Sequence, residues 1–168
     1  TAWEIVLNNH HITLDGWSLS IVLADVLKLY SGENLPQPVP FSRYTEWLET
    51  RSSEAVLGWW QKALAGFDRP NHINLAAADK GEGFGERTIH LDRKVSRRLE
   101  QVAREMRGTP SNLLQAIWGT LVGRLSGAED IVFGNVVSGR PAELSSVEEM
   151  VGMFINTVPV RMRTSGLS

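Results

Sequence analysis

The sequence contains no cysteine among its 168 residues. A chain without thiols has no disulfide framework, no cysteine nucleophile and no cysteine-ligated zinc or iron–sulfur site. It also lacks a strong charge of either sign, because 17 basic and 19 acidic side chains leave a formal net charge of −2. That balance gives no electrostatic footprint for nucleic acid. The composition therefore excludes thiol chemistry and gives no support to a nucleic-acid partner.

Long hydrophobic runs are also missing. No apolar stretch approaches the roughly 20 residues that a membrane-spanning helix needs, and the first residues do not have the pattern of a signal peptide. A chain without cysteine is compatible with a reducing compartment, so we predict a cytoplasmic protein with no membrane partner. Hydrophobic residues still make up 42% of the chain, which is enough to form a core at this length.

Helical and strand-like apolar patterns are mixed along the chain. Strands are predicted over 3–9, 87–92, 131–137 and 157–162. Helices are predicted over 19–30, 42–64 with a polar middle that can divide it, 96–108 with Ser96 as its cap, 109–127 and 147–153. A glycine-rich linker at 79–86 separates two halves, 1–78 and 87–168. The pattern predicts an α/β fold (α+β, two layers).

The segment His10-His11-Ile12-Thr13-Leu14-Asp15-Gly16 carries the clearest chemical signal. A neutral imidazole is well suited to proton transfer near pH 7, and a carboxylate across a tight turn can orient the loop through a backbone hydrogen bond or an ion pair with an arginine. A histidine pair at a strand end is more often structural than catalytic. A metal site is disfavoured, because no third imidazole stands at ligand spacing and His72 and His90 are isolated.

Four segments, in order, resemble the motifs of condensation domains from nonribosomal peptide synthetases. They are HHITLDGWS at 10–18, FSRYTEW at 41–47, the stretch from VFG to SGRP within 132–141, and VGMFINTVPVR at 151–161. The first matches the HHxxxDG motif. Related acyltransferases share only HxxxD, and the ordered set is more specific than any one motif.

The resemblance implies a chloramphenicol-acetyltransferase-like fold of two lobes, with the histidine motif in a tunnel between them. It implies an enzyme that joins a carrier-bound donor thioester to the amine of a carrier-bound acceptor, forming an amide. His11 is then the residue at the chemistry. Supporting, structural roles fall to His10, Asp15 and Gly16. Tunnel-lining candidates are Asn156, Trp118 and Ser138, although loop capping explains Asn156 and core packing explains Trp118 about equally well.

The resemblance also implies partners: upstream and downstream peptidyl carrier proteins, whose phosphopantetheine arms supply the thiols, and an adjacent adenylation domain. The domain itself binds no cofactor. In the family, the counterpart of Asp15 pairs with an arginine from an N-terminal segment, so that partner is expected to be absent here, and Arg140 and Arg161 are expected at the surface or in a hinge loop. The chain is expected to be a central fragment, covered by remaining fragments of the same domain and inactive alone.

Two other functions stay open on the sequence. One is a coenzyme A-dependent acyltransferase of the same superfamily, and the other is a non-catalytic fragment that docks carrier proteins. Within the condensation reading, the residues after Asp15 in HHITLDGWS disfavour the epimerisation subtype, and its intact histidines disfavour the heterocyclisation subtype. The segments VSGRPAEL and FINTVPVR favour an L-configured donor.

Overall fold

The computed structural model describes residues 4–73 and 85–164. Its helices and strands, in chain order, are α1 (Gly16–Tyr30), α2 (Ser42–Glu49), α3 (Ser53–Ala63), α4 (Arg93–Glu105), α5 (Pro110–Ser126), β1 (Asp130–Val137), a short 3-10 helix (Val147–Glu149) and β2 (Asn156–Arg163). The strands β1 and β2 pair as a two-stranded sheet. The backbone N–H of Thr164 donates to the carbonyl of Glu129 at 2.8 Å, so the end of β2 lies beside the start of β1 and the strands run antiparallel.

The chain forms two compact units. Unit 1 comprises 1–61 and 135–158, and unit 2 comprises 62–134 and 159–168. Within 4–73 and 85–164, no helix combines the length and apolar character that crossing a membrane requires.

Unit 1 is built around a cluster of four buried apolar side chains, Leu144, Val147, Met150 and Phe154. Three aromatic side chains pack against this cluster: Phe41, which directly precedes α2, and Tyr44 and Trp47 within α2. Phe41 meets Phe154 edge to face, with ring centroids 5.0 Å apart, a favoured aromatic geometry. The segment 41–47 therefore serves the packing of unit 1.

Unit 2 is built from α5 lying on the strand pair. Glycines at 119 and 123 make this close approach possible: a Cβ on Gly119 would stand 3.1 Å from Phe133, and one on Gly123 would stand 3.0 Å from the end of the Ile131 side chain. Val122, between them in sequence, is buried. Helix α4 packs on α5.

Several predicted helix ends are confirmed. The Thr109 side chain caps α5 in a capping box with Asn112, and Pro110 occupies the first turn. Helix α5 ends at Gly127 in the left-handed conformation, with φ 68°, which glycine adopts without steric penalty. The polar middle of the predicted 42–64 helix does divide it, into α2 and α3.

Two predicted strands are wrong. Within the described residues, neither 4–9 nor 87–92 forms a strand, because a strand needs a neighbour to complete its hydrogen-bond ladder and neither segment has one there. Apolar alternation alone does not supply that neighbour. Helix α4 begins earlier than predicted, since the Asp92 carboxylate accepts from the Val95 N–H at 2.7 Å and takes the capping role assigned to Ser96.

The predicted helix over 147–153 shortens to a 3-10 turn at Val147–Glu149, because Met150 turns to an extended conformation with ψ 140°. Most of the predicted linker, 79–84, lies outside the described residues. The division of the chain into halves at that linker therefore stays a prediction.

Candidate active site

The histidine motif forms a tight turn that leads directly into α1. The carbonyl of His10 accepts from the backbone N–H and the side-chain hydroxyl of Thr13, at 3.0 and 2.7 Å. The Nδ1 of His10 accepts from the Ile12 N–H at 3.1 Å, so in the neutral ring the proton resides on Nε2. His10 thus stabilises the turn with its own ring, and the His11 side chain is exposed.

Asp15 ends the turn and caps α1. Its carboxylate accepts from the Ser18 N–H at 2.8 Å, which satisfies a donor that the first turn of a helix leaves free. The other carboxylate oxygen accepts from the N–H groups of Phe154 and Ile155, at 3.1 and 3.3 Å. One buried carboxylate therefore joins the start of α1 to a segment about 140 residues later.

Arg140 provides the opposite charge. Its Nη2 lies 3.6 Å from the Asp15 carboxylate, and both side chains are only 4% exposed. Its Nη1 donates to the carbonyls of Val147 and Met150, the latter at 2.9 Å, and its Cζ lies 3.9 Å from the centroid of the Phe154 ring, a cation–π arrangement. The expectation that Arg140 lies at the surface or in a hinge loop is wrong, because its side chain is buried. The arginine that pairs with Asp15 comes from a later segment of this same chain.

The ionisation of Asp15 follows from these contacts. Burial on its own raises the pKa of the Asp15 carboxyl, but the hydrogen bonds from Ser18 and Phe154 and the charge of Arg140 outweigh it. The pKa of Asp15 is therefore held below its ordinary value. The carboxylate stays charged at neutral pH and keeps its ion pair with Arg140.

Ser18 is fully buried, at 0% exposure. Its Oγ donates to the carbonyl of Gly152 at 2.7 Å and accepts from the Gly152 N–H at 3.0 Å. It also accepts from Nη2 of Arg140 at 3.0 Å. We call Asp15, Ser18 and Arg140 the α1 clamp, because together they hold the 152–155 segment against the first turn of α1.

The other predicted site residues belong to different elements of the fold. Gly16 begins α1, and the space where a Cβ would lie is open. Asn156 is exposed at the start of β2, and its side-chain oxygen accepts from the Thr157 N–H at 2.8 Å. Ser138 is exposed just after β1. Trp118 belongs to unit 2, on α5, and is 49% exposed. In the part of the chain that the structure describes, no three histidine, aspartate or glutamate side chains come together as metal ligands.

Two residues of the clamp were not among the predicted site residues. Arg140 belongs to the SGRP motif segment, but nothing in its local sequence indicates burial. It is buried because its guanidinium reaches backbone carbonyls and a carboxylate from other segments. Ser18 follows Asp15 at helical spacing, and the S in DGWS is the one signal that could have identified it.

The comparisons with known proteins agree with this motif geometry. The family model described as "Condensation domain" matches residues 1–167. The chain belongs to the condensation-domain family. Bacitracin synthase 3 of Bacillus licheniformis is 39% identical over 170 residues, covering 96% of this chain and 3% of that protein. Tyrocidine synthase 3 of Brevibacillus parabrevis is 36% identical over 173 residues, covering 97% of this chain and 3% of that protein. This condensation-domain chain thus spans a small part of the length of these relatives.

Solved structures confirm the predicted fold class. The condensation domain of the monacolin K polyketide synthase MokA aligns with a TM-score of 0.70 at 23% identity, covering 92% of this chain and 38% of that chain. The first condensation domain of the CDA synthetase aligns with a TM-score of 0.65 at 21% identity, covering 92% of this chain and 36% of that chain. The α/β, chloramphenicol-acetyltransferase-like fold is confirmed, with part of that fold present here.

Proposed function

We propose that these residues form part of a condensation domain of a nonribosomal peptide synthetase, which joins two carrier-bound substrates through an amide bond. The observation that carries the proposal is the match of residues 1–167 to the family model, together with the hydrogen-bonded turn that the HHxxxDG motif of this chain forms. In that turn Asp15 is buried and paired with Arg140, and the His11 side chain is exposed.

The chemistry is an acyl transfer from sulfur to nitrogen. The acceptor's amine nitrogen attacks the carbonyl carbon of the donor thioester, the C–N bond forms and the C–S bond breaks. The amine loses a proton and the departing sulfur takes one up. Upstream and downstream carrier proteins bring the substrates on phosphopantetheine arms, which supply both thiols, so this chain needs none of its own. An adenylation domain in the same assembly would load the acceptor carrier.

His11 is the residue we assign to the reacting amine. Attack requires a neutral amine, and an imidazole can accept a proton as the bond forms or hydrogen-bond the tetrahedral intermediate. His10 is engaged with the Ile12 N–H and is assigned to the turn. Asp15 and Gly16 support the turn, and Asn156, Ser138 and Trp118 remain proposed as tunnel-lining residues.

The test uses the full-length protein that contains this chain, with aminoacyl-loaded donor and acceptor carrier proteins. We expect His11→Ala to lower amide formation by roughly 100-fold or more, as removal of a general base does, without loss of folded protein by circular dichroism. Full turnover by His11→Ala contradicts the assignment.

Two controls separate the alternatives. His72→Ala removes an exposed histidine far along the chain and is expected to keep full turnover. Product formed from a coenzyme A thioester without carrier protein would favour a coenzyme A-dependent acyltransferase. Carrier binding without turnover in the wild-type protein would favour a docking role.

A further inference from the structure

Ser18 uses the whole hydrogen-bonding capacity of its hydroxyl. A serine hydroxyl has one proton to donate and two lone pairs to accept with. In the structure, the proton goes to the carbonyl of Gly152, and the lone pairs receive the Gly152 N–H and Nη2 of Arg140. All of this occurs at a site with no solvent exposure. No smaller or apolar side chain reproduces these three bonds.

Gly152 is also confined from its other side. A Cβ built on Gly152 would overlap the ring of Phe41, so the backbone at this position is held between an aromatic ring and the first turn of α1. The Asp15 N–H adds a bond to the Gly152 carbonyl at 3.3 Å. Two to three residues further on, the Asp15 carboxylate holds the N–H groups of Phe154 and Ile155.

These contacts hold two segments of unit 1 in a fixed position relative to each other. The turn bearing His11 ends at Asp15, and the 152–155 segment leads directly to Asn156. Both segments belong to unit 1. Asp15 holds the Gly152 carbonyl through its backbone N–H and holds Phe154 and Ile155 through its carboxylate. The Ser18 side chain bonds both the N–H and the carbonyl of Gly152.

We infer that Ser18 is a positioning residue for amide formation, which holds the Asn156 segment in register with the turn that carries His11. The inference rests on the proposed function. A hydroxyl with donor and acceptor bonds to the same peptide segment fixes the segment's translation along α1, and a displacement near 1 Å in a reacting geometry can lower a rate by about 100-fold. The role is exerted through the backbone, so Ser18 touches no substrate.

The experiment compares Ser18→Ala with Ser20→Ala in the full-length protein with loaded carrier proteins. Ser20 is a matched control, because it lies on the same helix and is exposed, and its hydroxyl donates to the Gly16 carbonyl within its own helix. We expect Ser18→Ala to lower kcat by roughly 10- to 100-fold while KM for each carrier protein stays within about twofold. Ser20→Ala is expected to keep both constants.

A second control tests whether a loss of stability alone explains a loss of kcat in Ser18→Ala. Leu144→Val loosens the unit 1 core, where Leu144 is buried, and is expected to lower the thermal midpoint without changing kcat. Should Ser18→Ala not fold, Ser18→Cys, whose thiol is a weaker donor and acceptor, is expected to give a smaller loss of the same kind.

The outcomes distinguish the inference from the function on which it rests. A wild-type protein that forms no amide overturns both. A wild-type protein that forms amide, with Ser18→Ala as active as Ser20→Ala, overturns only the positioning role. So does a loss of kcat that follows the thermal midpoint equally in Ser18→Ala and Leu144→Val. A loss of kcat confined to Ser18→Ala, with KM retained, supports the positioning role.

Discussion

The two units each contain an aspartate–arginine ion pair, and the two pairs differ in burial. In unit 1, Asp15 and Arg140 are each 4% exposed. In unit 2, Asp130 and Arg161 are 34% and 12% exposed. The unit 2 pair is the closer of the two, with a bidentate contact at 2.6 and 2.8 Å, against 3.6 Å for the unit 1 pair. Geometry alone would rank the unit 2 pair as stronger.

When a single member of a pair is replaced, burial makes the loss larger for the unit 1 pair than for the unit 2 pair. When one member of a buried pair is removed, the other charge is left without a partner in a medium that solvates it poorly. A partly exposed carboxylate such as Asp130 is instead solvated by water, and Arg163 lies within 3.5 Å of it as a second cation. Close contact and structural importance are therefore separate properties in this chain.

The pairs also join different stretches of sequence. Asp15 and Arg140 are 125 positions apart, and they lie where the histidine turn meets the 152–155 segment. Arg161 also donates to the carbonyls of Ala63 and Ala65, at 2.9 and 2.8 Å, and so fixes the chain just after α3 to β2. We infer that the Asp15–Arg140 pair holds the candidate active site, while the partly exposed Asp130–Arg161 pair fixes the chain after α3 to β2.

The largest expected effect follows from removing Arg140. Arg140→Met leaves Asp15 charged and buried, and we expect opening of unit 1 to become easier by about 3–5 kcal/mol. The measurement is hydrogen exchange of the Ser18 and Gly152 amides, which reports local opening. Arg43→Met, at an exposed position of the same unit, is the control and is expected to change stability by no more than about 0.5 kcal/mol.

A double variant makes this prediction sharper. Asp15→Asn combined with Arg140→Met removes both charges, so the combined loss should be smaller than the sum of the two single losses. Additive losses would mean that the two charges do not depend on each other, and the comparison between the units would lose its basis.

A smaller effect is expected from Arg161→Met in unit 2. We expect exchange to accelerate at residues 63–71 and along β1, by less than Arg140→Met accelerates it in unit 1, because water solvates the remaining Asp130. Raising salt from about 0.1 M to about 1 M shortens the Debye length from ~10 to ~3 Å, so it should narrow the difference between Arg161→Met and wild type. The difference in exchange rate between Arg140→Met and wild type should persist in high salt. If salt changed the exchange-rate difference equally in both units, burial would not explain why the two pairs differ.

Sequence patterns predicted the contacts that are local and missed those that are distant. Thr109, Pro110 and Gly127 act within one helix, where spacing alone determines the outcome, and each behaves as predicted. The strand at 87–92 depended on a neighbour that no local pattern specifies. In the site, HHITLDG revealed the turn and its carboxylate, but the partner of Asp15 is chosen by tertiary packing. Each of Arg140 and Arg161 lies in one of the four motif segments, and only the fold shows that the Arg140 side chain is almost fully buried while the Asp130–Arg161 pair stays partly exposed.

The smallest expected effect is the pH dependence of the two carboxylates. The pKa of Asp15 is lowered in the folded state by its hydrogen bonds and Arg140 against the opposing effect of burial, and the pKa of Asp130 is lowered chiefly by its hydrogen bonds from Arg161. A carboxyl with a depressed folded pKa contributes stability that is complete above its unfolded pKa, about 3.9, and is lost as pH falls through the folded value.

In urea unfolding followed by circular dichroism, the stability difference between wild type and Asp15→Asn should therefore shrink as pH is lowered below about 4. Asp130→Asn should show the same trend with a smaller difference, since water screens that pair. Ser20→Ala, which removes no titrating group, should keep a constant difference from wild type. A constant difference for Asp15→Asn over the same range would show that the folded protein does not favour the Asp15 carboxylate, and the contrast between the two pairs would then rest on geometry alone.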